Sequence, residues 1–386
     1  MAEDFISFRL ATSTPEPTPV APSLESDEGL PVIVIGAGIA GATAARELAR
    51  AGYSVRLLER RVYLGGRLGS RVLRGTGTSY DGRETVLGSP YLTAREERFV
   101  EQVRDWEARD VLRSWADVAR VAGPAGLGGY REDMHRYTAR EGMSALVDDL
   151  VRQAAEAAAQ NGQTFDLKLA HQVSQVTWSA ADSVMRHGRA ALLPRVDGEL
   201  AKAVVLAIPD PAALELLPSA IDDVGAHPSL SRARAQLHRT PWIPTLSLIT
   251  VWDGRDWEDF HVAFVNHADE IQKLIDDGSR VGDNAPITIA HAPNAFSAEF
   301  LDDPARAVVP MLSRVTRILG TGRSPLWVGV QRWTNSRPQT ASTDGCWWEA
   351  DARLGMAGDG WHGSPRVEGA YLSGYDVARR LIHDLA

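Results

Sequence analysis

The first sustained apolar pattern in the chain is PVIVIGAGIAG at 31–41. Its apolar positions are consecutive rather than alternating, which predicts a strand covered on both faces within a parallel sheet. ATAARELARAG follows with alanines and a leucine at helical spacing, and Gly52 is placed to end that helix. YSVRLLER then reads as a second strand ending near an acid, Glu59.

Farther along, the pattern predicts a helix over 142–160, short strands near 165–178 and 184–195, and the apolar strand AVVLAIP at 203–209. WIPTLSLITVW (242–252), FHVAFV (260–265) and ITIAHA (287–292) read as sheet strands, and 303–320 as an amphipathic helix. A strand near LGMAGDG (354–360) and a helix across 366–385 close the chain. The expected fold is α/β: a Rossmann-type nucleotide-binding lobe, discontinuous in sequence, beside a mixed α+β substrate lobe built on an antiparallel sheet. The expected division gives 31–88, 137–218 and 325–386 to the nucleotide lobe, and 89–136 with 219–324 to the substrate lobe. Residues 1–30, rich in Pro, Ser, Thr and Glu, are expected to be a disordered tail.

Composition narrows the function classes. At 386 residues with 44% apolar and 24% charged residues, the chain can bury a large core, and no apolar run reaches the roughly eighteen residues of a membrane span. The net charge is -9, of which the tail supplies five units, leaving a body without a basic stripe; nucleic acid is not an expected partner. One cysteine, Cys346, excludes an internal disulfide framework, and the ten histidines show no i, i+4 pair, so no metal site is expected. The tail begins with Glu3 and Asp4 and has no signal-peptide pattern, which points to a cytoplasmic protein. Composition says nothing of oligomeric state.

Gly36, Gly38 and Gly41 form Gly-x-Gly-x-x-Gly between a strand and a helix, with Ile39 and Ala40 inside the turn. Gly36 permits the tight turn, Gly38 lets backbone approach a pyrophosphate, and Gly41 allows helix and strand to pack closely. The diphosphate belongs at the helix N-terminus, where unpaired N–H groups and the helix dipole favour negative charge. Glu59, eighteen residues after Gly41, is placed to accept hydrogen bonds from the adenosine ribose. Arg60 and Arg61 either contact phosphate or form a solvated surface pair.

The turn alone does not choose FAD over NAD. Gly65-Gly66-Arg67 after the second strand resembles the flavin-dependent amine oxidase superfamily, as does Gly358-Asp359 followed by a helix containing Val367, Glu368 and Ala370. The resemblance implies a fold similar to glutathione reductase, with FAD held non-covalently. It further implies Gly66 and Arg67 near the diphosphate, Asp359 on the ribityl chain, and Val173 lending backbone contacts to adenine. Within that superfamily, GSPYLTAREERF (88–99), EGMSALVDDL (141–150), VVLAIPDPAALELL (204–217), QRWTNSRP (331–338) and MAGDGWHGSPRVEGAYLSG (356–374) resemble the renalase-like flavoproteins. Residues 266–283 lack the Trp-rich, basic pattern of bacterial relatives, and HAPNAFSAEF matches their His-x-x-x-x-Ser stretch only in part.

A renalase-like protein takes a hydride from a 2- or 6-dihydro isomer of NAD(P) and passes the electrons to oxygen or another acceptor. The resemblance therefore implies a small-molecule substrate, a dihydronicotinamide. On this reading Tyr91 and Trp333 stand near the flavin, the alternative being core packing. His362 either tunes the flavin or is a hydrogen-bonded loop residue. Cys346 could tether FAD, or be a buried thiol. An amine oxidase or desaturase, and a non-enzymatic carrier such as the GDP dissociation inhibitors, remain alternatives on the same fold.

Overall fold

A computed structural model describes residues 26–186, 189–218, 228–267 and 269–386. It opens with β1 (Val32–Ile35), α1 (Ile39–Arg50) and β2 (Val55–Leu58), then a small hairpin of β3 (Ser70–Val72) and β4 (Glu84–Val86). Next come α2 (Glu97–Ala108), a long hairpin of β5 (Arg113–Gly123) and β6 (Gly126–Thr138), α3 (Ala145–Gln160) and β7 (Phe165–Lys168). A meander of β8 (Val176–Arg186), β9 (Arg189–Val196) and β10 (Glu199–Leu200) leads to β11 (Ala203–Leu206), α4 (Asp210–Leu216) and α5 (Pro228–Leu237). The middle of the chain supplies β12 (Trp242–Trp252), β13 (Val262–Val265), β14 (Lys273–Asp276), α6 (Asp277–Val281), β15 (Ile287–His291) and α7 (Asn294–Glu299). The remainder is α8 (Val308–Leu319), β16 (Pro325–Pro338), β17 (Trp347–Glu349), β18 (Leu354–Met356) and α9 (Val367–Leu385).

The first sheet has the order β17-β18-β11-β1-β2-β7, parallel except at β17. Its apolar runs are covered on both sides, as continuous burial requires. The two-residue period of β1 sends Val32 and Val34 into a core shared with α1, α3 and α9, and Ile33 and Ile35 into a second core with α5 and Trp178. The second sheet, β16-β12-β15-β14-β13-β5-β6, is antiparallel except where β13 runs parallel to β5. The mixed α/β architecture expected from the pattern is the one observed.

Several boundaries differ from those expected. Residues 165–178 form not one strand but two elements: β7 joins the first sheet, whereas β8 starts the separate meander. Strand β16 pairs along its whole length with β12, so residues 325–338 hydrogen-bond into the second sheet and not the first. Conversely, Phe99, Val103 and Trp106 of α2 and Leu230, Ala233 and Leu237 of α5 pack in the two cores of the first sheet. The hairpin β5–β6 was hidden by irregular pairing, which breaks the alternation that marks a half-buried strand. The expected tail lies mostly outside the described residues, but its last five are ordered. Asp27 is 4% exposed and its carboxylate accepts from Lys202 Nζ at 2.9 Å and Arg353 Nη1 at 3.0 Å.

Candidate cofactor and substrate site

A cavity of about 530 Å³ opens between the carboxyl ends of the first sheet and one face of the second. That is where open α/β sheets bind ligands, beyond the strand ends where the connections diverge. Its floor is the glycine turn. A Cβ on Gly41 would stand 1.9 Å from the Gly36 carbonyl oxygen, so only glycine lets α1 approach β1 this closely; a Cβ on Gly38 would meet nothing within 4 Å, leaving bare backbone open to the cavity. The N-terminus of α1 carries no acidic residue in its first turn, so its N–H groups and positive dipole end remain available to an anion.

Glu59 closes one end. Its Oε2 accepts the Ala37 N–H at 3.0 Å and its Oε1 the Arg61 N–H at 2.9 Å, which fixes the carboxylate over the turn with lone pairs to spare. Val173 lines the same end. Arg67 and Asp359, far apart in sequence, form a two-pronged pair at 2.6 and 2.7 Å. They were expected to act separately, one on diphosphate and one on the ribityl chain. The guanidinium also donates to the Ser336 carbonyl at 3.0 Å and lies 5.2 Å from the Trp242 ring centroid. Gly358, with φ of +153°, faces open space, and its N–H donates to Ser373 Oγ. Bare glycine backbone, a helix N-terminus, a fixed carboxylate and an arginine fork together fit a dinucleotide cofactor.

Of the residues singled out from sequence, Gly36, Gly38, Ile39, Ala40, Glu59, Arg60, Gly66, Arg67, Val173, Trp333, Gly358, Asp359, Val367 and Ala370 all line this cavity. Gly41 stands behind it as packing. Three are placed elsewhere. Glu368 is turned away: its carboxylate accepts the backbone N–H groups of Arg95 and Glu96 at 2.6 and 2.8 Å and so caps the start of α2. His362 bonds through Nε2 to Asp376 of α9 at 2.9 Å, making it a loop histidine held by a helix. Tyr91 sits one layer behind the wall, packed against Trp115, with the Lys273 ammonium 5.3 Å from its ring centroid. Trp333 does line the cavity, its indole N–H donating to the Leu87 carbonyl at 3.3 Å.

The sequence reading missed Asp210, Ser247, Lys273 and His291, which all line the cavity. Asp210 begins α4, and burial pushes its carboxyl up to about 6; Asp359 nearby adds to the rise, while the Trp242 indole tempers it without completing a hydrogen bond. Ser247, His291 and Lys273 sit in register across β12, β15 and β14. Burial holds His291 well below the usual histidine range, and the Lys273 charge lowers it further against the opposing Leu87 carbonyl, so the ring is neutral. A signal existed: Ser247 and His291 share strand parity with the buried apolar residues Ile249 and Ile289, so each is a polar residue on an inward-facing stripe. Cys346 lies outside the cavity wall, 2% exposed, with burial pushing its thiol up to about 12.

No helix among the described residues is long and apolar enough to cross a membrane. Residues 34–98 match the family of NAD(P)-binding Rossmann-like domains. An oxidoreductase of known structure from Methanosarcina mazei is 13% identical, over 91% of this chain and 100% of its own, with a TM-score of 0.63, a likeness of fold. Residues 121–382, more than half of the chain, match the flavin containing amine oxidoreductase family, and they carry the Asp359 half of the fork as well as most of the sheet that faces the turn. The chain belongs to the flavin-containing amine oxidoreductases.

Proposed function

We propose that this protein is a renalase-like oxidoreductase that holds FAD without a covalent link and oxidises 2- or 6-dihydro isomers of NAD(P), with oxygen or another acceptor taking the electrons. Bound flavin supplies the two-electron acceptor that the side chains lack. The chain's own part is to hold the dinucleotide on the glycine turn, exclude water, and set the donor carbon in a near-attack position.

The observation that carries this reading is the charge of the wall opposite the turn. Among the described residues, the strands β12, β14, β15 and β16 contribute Lys273, Arg332 and Arg337 to the cavity and no carboxylate. Arg61 adds a guanidinium 5.6 Å from the Trp333 ring centroid. The acids that do line the cavity, Glu59, Asp210, Glu215 and Asp359, all lie outside those strands; Glu59 is taken up by backbone N–H groups, Asp359 by Arg67, and burial raises the Asp210 carboxyl to about 6. A cationic wall favours a donor carrying phosphates and disfavours an ammonium ion, which would meet like charge on those strands. The buried, weakly acidic Cys346 outside the wall agrees with non-covalent cofactor.

The test is anaerobic mixing of the yellow holoenzyme with 2-, 4- and 6-dihydro NAD(P) and with a panel of primary amines and polyamines. Rapid bleaching by the 2- or 6-isomer and none by amines is expected. Bleaching by amines alone would return the protein to ordinary amine oxidation, and colour remaining with an acid-precipitated pellet would refute non-covalent binding.

A further inference from the structure

Strand parity makes one face of the second sheet apolar along most of its length, with Ile249, Ile289 and Ile275 side by side. Two residues nearer the cofactor the same three strands present Ser247, His291 and Lys273, paired in the same order. Ser247 Oγ and His291 Nε2 are buried without a hydrogen-bond partner, and both residues line the cavity. Buried polar atoms are almost always satisfied, so two orphans side by side on a cavity wall await a ligand group. Lys273 has no carboxylate partner among the described residues; its ammonium rests over the Tyr91 ring.

We infer that Lys273, His291 and Ser247 form the subsite that grips the substrate's planar, carbonyl-bearing head group. This deepens the dihydronicotinamide reading and, where it names a carboxamide, rests on it. Neighbouring strands stand roughly 4.8 Å apart, so the row spans about 10 Å, enough to flank one planar group. The donors and acceptors match. The ammonium only donates, and suits a carbonyl oxygen; the serine hydroxyl and the neutral imidazole each donate and accept, and suit an amide –CONH₂. A head group fixed at this wall sets which edge of the attached ring would be presented to a bound flavin, which makes the row a determinant of the isomer accepted. An ammonium in its place would meet the like charge of Lys273.

Small aromatic probes test this without a hydride donor. Benzamide, benzoate and benzylamine would be titrated into the oxidised holoenzyme, reading the flavin absorbance perturbation. Benzamide is expected to bind and benzylamine to bind far more weakly. Lys273→Met should weaken benzamide by about ten- to a hundredfold and Ser247→Ala by about three- to tenfold, as removal of a charged and a neutral hydrogen bond implies, with flavin content and melting temperature unchanged. Benzylamine binding as tightly as benzamide, or both variants binding benzamide like the wild type, would overturn the subsite. Should a variant lose its flavin, the comparison of probes on wild type still decides. Tighter binding of benzoate than of benzamide would transfer the site from carboxamides to carboxylates and refute the amide specificity. Failure of dihydropyridines to bleach the flavin, with benzamide still selectively bound, would instead refute the substrate reading and leave the subsite standing.

Discussion

Replacing Asp210 by Asn should stabilise the protein, and only above mildly acidic pH. The carboxyl lies in the cavity wall near Asp359, and burial with that like charge lifts it from the ordinary 3.8 to about 6. A folded-state value raised above the unfolded one means that the native protein binds the proton more tightly. Stability from this site is therefore complete below about pH 3.8 and is lost as pH rises through about 6. At 1.36 kcal/mol per pH unit, the span from 3.8 to about 6 amounts to about 3 kcal/mol at neutrality. Water at the cavity mouth screens part of this, leaving about 1–2 kcal/mol. Asparagine keeps the shape and never ionises, so the variant avoids the penalty. For a chain of this size, that is about 1–2 °C in melting temperature at pH 8, shrinking toward zero near pH 4. The assay is thermal unfolding of both holoproteins across pH 4–8, followed by circular dichroism. A gap that does not change with pH, or a variant less stable at pH 8, would show that Asp210 is not the strained acid described.

Gly41→Ala should separate α1 from β1, because its Cβ would stand 1.9 Å from the Gly36 oxygen; a loss of roughly 3 kcal/mol and of flavin colour is expected, read from the 450-to-280 nm absorbance ratio and the melting curve. Asp27→Ala removes the carboxylate that Lys202 and Arg353 share at a largely buried site and should cost roughly 3–5 kcal/mol in denaturant unfolding. Since those cations hold the Asp27 carboxyl below its ordinary value, its contribution is present above about pH 3.8 and is lost as acid protonates the folded form; a deficit that does not shrink as pH falls below about 3.8 would contradict it. Glu368→Ala removes the cap on α2 and should cost about 1 kcal/mol while leaving the flavin spectrum unchanged; a shifted spectrum would put Glu368 back at the cofactor.

The cofactor lobe was legible because its signals are local. Gly36, Gly38, Gly41 and Glu59 belong to one strand-turn-helix-strand unit whose spacing is set by backbone geometry within a single stretch of chain. Helix α2 is equally local: Phe99, Val103 and Trp106 recur at helical intervals and pack in the core of the first sheet.

What the sequence could not decide is which distant residues meet. Glu368 lies in a helix whose start lines the cavity, but the packing of α9 against α2 gives its carboxylate two backbone N–H groups instead. Arg67 and Asp359 read as two separate ligands, and become one fork only when β18 takes its place beside β11. Ser247, Lys273 and His291 looked like unremarked polar positions in three different segments. Sheet register aligns them, because pairing β14 with β15 and β15 with β12 fixes every side chain's neighbour and face at once. The sequence by itself determined the fold class and the place where a dinucleotide belongs; tertiary pairing alone decided the wall that faces it.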